Sequence, residues 1–428
     1  MSVFSKDGMS FKELKKDFPI FAHHQRSGRD LVYLDSAATT QKPQCVIEAL
    51  TQFYTTTNAN INRGLYDIAE AATQQYENAR TTVACFINAA DPCEIIFTKG
   101  ATEGINFVAH AWAMEHLKPG NIILLSHAEH HANLLPWQWI AEKTGATLTF
   151  IPYDSTTGYL KDPAAYLTPS VKLVAIASDS NVVGQLWQDG QLEAFIEQAH
   201  TLGAKVLVDA AQSVVHRPLD VQQLNTDFLV FSGHKMLGPT GIGVLYIKKS
   251  LHNQTEPYQR GGSMIHSATY RGASWAQAPA KFEAGTPPIA GAIALASAIE
   301  YINKNINFNE LHNHEVELCQ ALIKVLERHQ EITIAGNINH IKKHGYMVSF
   351  AVKGIHHHDL AAYLGQQGIA VRAGHLCAQP FVASLGFQGL IRVSFGAYNT
   401  QRDVEAFSTA LEAGINMLAT TQHGSVDV

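Results

Sequence analysis

KVLVDAAQSVVHRPLDVQQLNTDFLVFSGHKMLGPTGIGVLYI, residues 205–247, contains three apolar runs: Lys205–Asp209, Asp227–Ser232 and Gly243–Ile247. Each run is continuously apolar rather than alternating, the pattern of a strand buried on both faces. The first two are separated by enough chain for a crossover, so they are expected to lie parallel. Gly233–Gly241 is too short for a helical crossover, so the last strand should run antiparallel to its neighbour.

The same pattern extends towards the N-terminus. Glu94–Thr98, Asn121–Ser126, Thr147–Ile151 and Lys172–Ala177 are further short apolar runs. Helix-length segments such as Ala101–Leu117 and Gln191–Leu202 lie between most of them, and Gly203 follows the second where a helix would end. This alternation predicts an α/β fold with a mostly parallel seven-stranded sheet. After Ala290 the pattern changes. A mainly helical stretch runs to about Gln330, then come strands at Tyr346–Val352, Ile369–Arg372 and Ile391–Phe395. A closing helix starts at Thr400, where Thr400 and Asp403 have capping-box spacing and Val404, Phe407, Leu411, Ile415 and Leu418 make one apolar stripe. The expected organisation is an N-terminal segment, 1–24, packing on a small α+β domain, 291–428, with a large domain at 25–290 between them.

Composition narrows the class. The 428 residues are 46% hydrophobic and 16% charged with a net charge of −6, which gives no electrostatic case for nucleic acid or an anionic membrane. Met1 to Pro19 is polar, with no apolar core of signal-peptide type. The longest apolar stretch, Ile289–Ile299, is too short to span a bilayer. The reading is a soluble, cytoplasmic protein. The five cysteines are Cys45, Cys85, Cys93, Cys319 and Cys377, with no CxxC pair, so neither a disulfide framework nor a cysteine zinc site is expected.

In open α/β sheets ligands bind beyond the carboxyl ends of the strands, and the polar residues expected there each suit one part of pyridoxal 5′-phosphate (PLP). Asp209 ends a strand where an acid can pair with a pyridinium nitrogen and keep the ring an electron sink; an N-cap is an equally good reading of that position. Gln212 can reach the ring oxygen from the same turn. Lys235 leaves a buried strand into a Gly/Pro loop, where desolvation would favour the neutral amine that Schiff-base formation needs. Ser232 and His234 flank it on the phosphate side. Gly100 to Gly104 lies between strand and helix, where helix N-terminal amides and the Thr102 hydroxyl suit a phosphate. His130 follows another strand and could stack on the ring, whereas His131 reads as a packed, hydrogen-bonded residue.

The strings LVYLDSAATTQKP (31–43), KGATEGIN (99–106), AEHHANLLPWQ (128–138), VLVDAAQSVVH (206–216), FSGHKMLGPTGIGVLY (231–246), FEAGTPP (282–288) and RAGHLCAQP (372–380) together resemble a cysteine desulfurase of the Suf/Csd type. That branch belongs to the class V aminotransferase-like, fold-type I PLP enzymes, and the resemblance runs from about Phe18 to Gln401. It implies that Lys235 carries the cofactor, that Asp209 and Gln212 contact its ring, and that His130 stacks on it. Thr102, Ser232 and His234 would hold the phosphate, with Thr286 reaching in from the other subunit of a homodimer. Asn181 would lie near the ring oxygen and the substrate carboxylate, Arg392 would bind that carboxylate, and Arg372 would line the same mouth. Cys377 would be the sulfur nucleophile, in a loop that reads as flexible but too short to carry its cargo far.

The implied reaction converts L-cysteine to L-alanine. Lys235 removes the Cα proton, His130 protonates near the sulfur, and Cys377 takes the sulfur as a persulfide. A SufE-like or CsdE-like acceptor protein then receives it for iron–sulfur or other sulfur-cofactor assembly. Selenocysteine lyase and cysteine sulfinate desulfinase are the near alternatives, and a plain aminotransferase or a non-catalytic scaffold the remote ones. Ala101, Asn62, Tyr66, Leu376 and Asp179 depart from the family pattern without removing a core role. His356, His357 and His358 invite a metal reading, but adjacent residues on a helix do not share a face, so a solvated helix cap is expected there.

Overall fold

A computed structural model of the chain describes residues 11–28 and 30–423. Seven strands form the main sheet: β1 (Ile95–Thr98), β2 (Ile122–Ser126), β3 (Thr147–Ile151), β4 (Val171–Ala177), β5 (Lys205–Asp209), β6 (Phe228–Ser232) and β7 (Gly243–Ile247). Their order across the sheet is β1-β7-β6-β5-β4-β2-β3. Only β7 runs antiparallel to its neighbours, pairing Ser232 with Gly243 on one side and Thr98 with Gly243 on the other. The short 233–241 connection thus has the consequence expected of it. Each predicted strand of this sheet falls within a residue of the observed one.

Both faces of the sheet are covered, which accounts for the continuous apolar runs. Val206, Val208, Leu229 and Phe231 face a core shared with α4 (Gln191–Thr201) and α5 (Ile289–Asn305). Leu207, Phe228, Val230 and Leu245 face the other way, onto α3 (Ala101–Val108) and Trp137. Beyond α3 the helical run continues through a π-turn, Ala109–Ala113, to His116, matching the expected Ala101–Leu117 segment. Helix α5 packs on α1 (Gln44–Gln52) and α2 (Asp67–Phe86).

A second core gathers around a four-stranded antiparallel sheet, β8 (Ile332–Ile334), β9 (Met347–Val352), β10 (Arg372–Gly374) and β11 (Leu390–Ser394), in the order β8-β9-β11-β10. Helices α6 (Phe308–Leu326), α7 (His357–Gln366) and α8 (Gln401–His423) cover it. Two expectations need correction. Ile369–Arg372 is not one strand: Ile369 and Ala370 pair with Val32 and Tyr33, while Arg372 begins β10 against β11. The three-residue strand β8 was not expected, although Ile332, Thr333 and Ile334 alternate as a strand does. At the start of α8, the Asp403 carboxylate accepts from the Thr400 backbone N–H at 2.7 Å, which is the reach-back half of a capping box. In the N-terminal segment, Lys15 pairs with Asp403 at 2.9 Å, and Phe18 meets the rings of Tyr398 and Tyr301 edge-on. Residues 1–10 of that segment lie outside the described residues. No described helix is long and apolar enough to cross a membrane.

Candidate active site

A cavity of about 270 Å³ opens at the carboxyl ends of the parallel strands, where the sheet topology directs a ligand. Asp209 ends β5, Ser232 ends β6 and Ala177 ends β4, and all three line it. So do Thr102, His130, Asn181, Gln212, His234, Lys235, Arg372, Cys377 and Arg392. Of the residues expected from sequence, Thr286 alone is not on this wall; it is exposed at the surface.

The floor is built for a charged aromatic phosphate. Lys235 is half-buried by surface area, and the surface it keeps lies on the cavity wall. Burial pushes its amine down to about 8, with Asp209 opposing that shift. Asp209 is itself buried, and burial raises its carboxyl, while one oxygen accepts from the Ala211 N–H at 2.9 Å. Gln212 gives one amide hydrogen to Ala37 O at 3.0 Å and keeps the other. His130 is pushed down to about 4 by burial and by Lys235, so its ring is neutral at pH 7. Its Nδ1 accepts from the Ala132 N–H at 3.0 Å, which fixes the proton on Nε2.

The phosphate end is shaped by close backbone approach. A Cβ on Gly243 would lie 2.4 Å from Gly100 Cα, so only glycine lets β7 pass this close. The approach brings the Ala101 N–H to Ser232 Oγ at 2.9 Å. The Ser232 hydroxyl hydrogen therefore stays free to donate, beside the exposed Thr102 hydroxyl. Ala101 brings no hydroxyl here, and its amide is engaged by Ser232.

At the other end, Arg392 is 3% exposed. Its Nη1 donates to Asn181 O at 2.8 Å and its Nη2 to Asp35 Oδ1 at 3.2 Å. Arg372 Nη2 sits 3.0 Å from the other oxygen of Asp35, so one carboxylate joins both guanidiniums. Arg392 Nε and Asn181 Oδ1 are buried with no hydrogen-bond partner among the described residues. Buried polar atoms are normally satisfied, and these two point to a ligand with both a donor and acceptor oxygens. Together with a lysine of lowered pKa, a buried acid and free hydroxyls at a helix start, they fit PLP and an amino-acid substrate.

Sequence reasoning missed three residues of this neighbourhood and gave a fourth, His131, only as a packed, hydrogen-bonded residue. Asp35 joins the arginines. Lys42 Nζ donates to His234 O at 3.0 Å, beside Thr39 and Thr40, and so grips the turn that carries Lys235. Glu129, pushed up to about 7 by burial, collects donors from Ser126, Asn133 and the Ala177 amide. His131 contacts the Cys377 loop. LDSAATTQKP and AEHHAN contain all four, but nothing local in either string says which partners they meet.

The departures from the family pattern sort themselves. Asp179 lines the cavity but pairs with Arg217 and accepts from Tyr346 Oη at 3.0 Å. Asn62 and Tyr66 are exposed and away from the cavity. Leu376 is 7% exposed and anchors the loop before Cys377, which is therefore pinned where flexibility was expected. His356 caps α7, its Nδ1 accepting from the His358 N–H, and no described group of residues could hold a metal.

The class-V aminotransferase family model matches residues 32–407. The chain belongs to this family. Among curated relatives, this class-V aminotransferase homologue is 43% identical to the "Probable cysteine desulfurase" of Vibrio cholerae, over 92% of this chain and 95% of that one. It is 40% identical to the "Cysteine desulfurase" of Shigella flexneri, over 94% and 98%. Among solved structures it superposes on the cysteine desulfurase CsdA (S-sulfonic acid) from Escherichia coli with a TM-score of 0.86. The pair are 38% identical over 96% of this chain and 100% of the other.

Proposed function

We propose that the protein is a PLP-dependent cysteine desulfurase that converts L-cysteine to L-alanine and receives the sulfur on Cys377. The observation that carries this reading is the position of Cys377, exposed at the mouth of the same cavity that Lys235 and Asp209 floor and Arg392 walls. An aminotransferase has no use for a thiol there.

When bound, PLP supplies an electron sink that stabilises negative charge at the substrate Cα. Lys235 would hold it covalently, Asp209 its ring nitrogen and Gln212 its ring oxygen, with His130 against its face. Thr102, Ser232 and His234 would hold the phosphate. Arg392, through its open Nε, and Asn181 bind and orient the substrate's carboxylate, with Arg372 at the rim. Lys235 Nζ, partly neutral near pH 7, takes the Cα proton. His130 holds a proton on Nε2 that it can give near the departing sulfur. Cys377 Sγ attacks the substrate sulfur: the Sγ–S bond forms as the substrate Cβ–S bond breaks, the sulfur stays on Cys377 as a persulfide, and the bonding pair stays with the carbon skeleton that is protonated to alanine.

The pinned Cys377 loop supports delivery to an acceptor that comes to the enzyme, of the SufE-like or CsdE-like kind. Exposed Tyr54, Leu65, Tyr66 and Ile68, and a Thr286 exposed away from the cavity, support a homodimer in which Thr286 completes the partner's phosphate site. Five free cysteines support a reducing, cytoplasmic setting.

The test is incubation with L-cysteine, scoring alanine and the mass of the Cys377 peptide. Cys377→Ser should keep the cofactor and lose the persulfide; a persulfide on the serine variant would refute the assignment.

A further inference from the structure

Leu376 and Cys377 both have φ of 55°, in the left-handed region that non-glycine residues avoid. Two such residues in succession persist only when their surroundings over-determine them. Three hydrogen bonds converge on this short stretch. Asn181 Nδ2 donates to Leu376 O. The His131 backbone N–H donates to Cys377 O at 2.7 Å. The Gln379 N–H donates to His131 Nε2 at 3.0 Å. A single residue on the 3₁₀ turn after β2 thus holds the chain at two points just after the Cys377 Cα, while Asn181 holds it just before. It comes from the main sheet's side of the cavity and reaches across to the segment that leaves β10.

The ring bond requires Nε2 to be unprotonated. Burial lowers the His131 pKa, with His375 adding to the effect, so the imidazole is the neutral acceptor this contact needs. Leu376 and Ala378 are buried on either side while Cys377 stays exposed, so releasing the clamp would let the thiol swing without unfolding the loop.

We propose that His131 is the positioning residue of Cys377: its backbone and ring clamp the strained nucleophile loop so that the thiol stays over the cavity mouth. This rests on the reading of Cys377 as the sulfur acceptor.

Two variants and two substrates test it. His131→Ala removes the acceptor, whereas His131→Gln can return a side-chain oxygen to the Gln379 N–H. With L-cysteine, the sulfur must be taken by Cys377. With L-cysteine sulfinate, the sulfur leaves as an oxidised fragment that needs no acceptor thiol. For His131→Ala we expect persulfide formation at Cys377 to fall at least about tenfold and the rate of Cys377 alkylation by iodoacetamide to change. Turnover of the sulfinate and the visible cofactor absorbance should stay within about twofold. His131→Gln should recover most of the persulfide rate. The clamp is overturned if both substrates slow together in either variant, if neither slows, or if glutamine recovers no more than alanine. Cys377→Ser run beside them separates the two claims. A persulfide that survives in the serine variant sinks the assignment of Cys377. One lost in the serine variant but intact in His131→Ala sinks only the clamp.

Discussion

The amine of Lys235 should make cofactor capture titrate far below the range of an ordinary lysine. Its pKa is lowered from 10.5 to about 8, chiefly by burial. At pH 7 a lysine of pKa 8 is neutral in roughly one molecule in ten, against about three in ten thousand for a solvated lysine, an enrichment on the order of 300-fold. Only the neutral amine can attack the cofactor aldehyde. With cofactor-free protein and PLP in stopped flow, the second-order rate should rise about tenfold per pH unit to near pH 8 and then level off. Asp209 is the neighbour that holds Lys235 up. In Asp209→Asn the break in the profile should therefore move to lower pH. A rate that climbs unbroken through pH 10, or a break that moves upward in the asparagine variant, would show that burial is not what activates this lysine.

Two further outcomes follow from the charged pairs. Arg392→Lys keeps the charge but cannot span Asn181 O and Asp35 while presenting a third donor, so kcat/KM for L-cysteine should fall. Losing one charged hydrogen bond, about 2 kcal/mol, predicts on the order of thirtyfold; steady-state kinetics with an unchanged kcat/KM would contradict the role. Glu283 accepts from both Arg80 amino groups, from Tyr76 Oη and from the Phe97 N–H, and Arg80 is 2% exposed. Glu283→Ala removes the carboxylate that binds both amino groups and leaves the buried guanidinium with Glu77 at 3.0 Å and Ile95 O at 2.7 Å, which should cost about 3 kcal/mol in a urea titration, and a loss under about 1 kcal/mol would mean that Glu77 alone holds the charge.

The main sheet was legible because each strand announces itself locally. Val206, Leu207 and Val208 are apolar in sequence because opposite faces of β5 meet different helices, and no knowledge of those helices is needed to see the run. Asp209, Ser232 and Lys235 were legible for a related reason: strand ends locate the ligand, and they sit at strand ends. The failures involve partners far along the chain. Ile369–Arg372 looks like one strand, yet its two halves answer to Val32–Tyr33 and to Leu390–Ser394. Asp35 meets Arg392 across 357 residues and His131 meets Gln379 across 248, and neither contact leaves a mark in local periodicity. The loop at Cys377 looked flexible because it lies between Gly374 and Pro380, and the bonds that pin it come from two other segments.

The charges around the cavity give a reason for a substrate with a single anionic group. Arg372 and Arg392 bring two positive charges to the mouth, and Asp35 sits 3.0 Å from one and 3.2 Å from the other. Asp179, the unusual acid beside Asn181, is already paired with Arg217 and adds no free negative charge. On the floor, Asp209 faces the amine of Lys235, and His130 is neutral. The mouth is therefore left with one uncompensated positive charge, carried by a buried guanidinium whose Nε lacks a partner among the described residues. An α-carboxylate brings one negative charge and two acceptor oxygens, which satisfies the charge and the open donor together. A thiol side chain adds no further charge to compensate, and it reaches towards the rim where Cys377 is held.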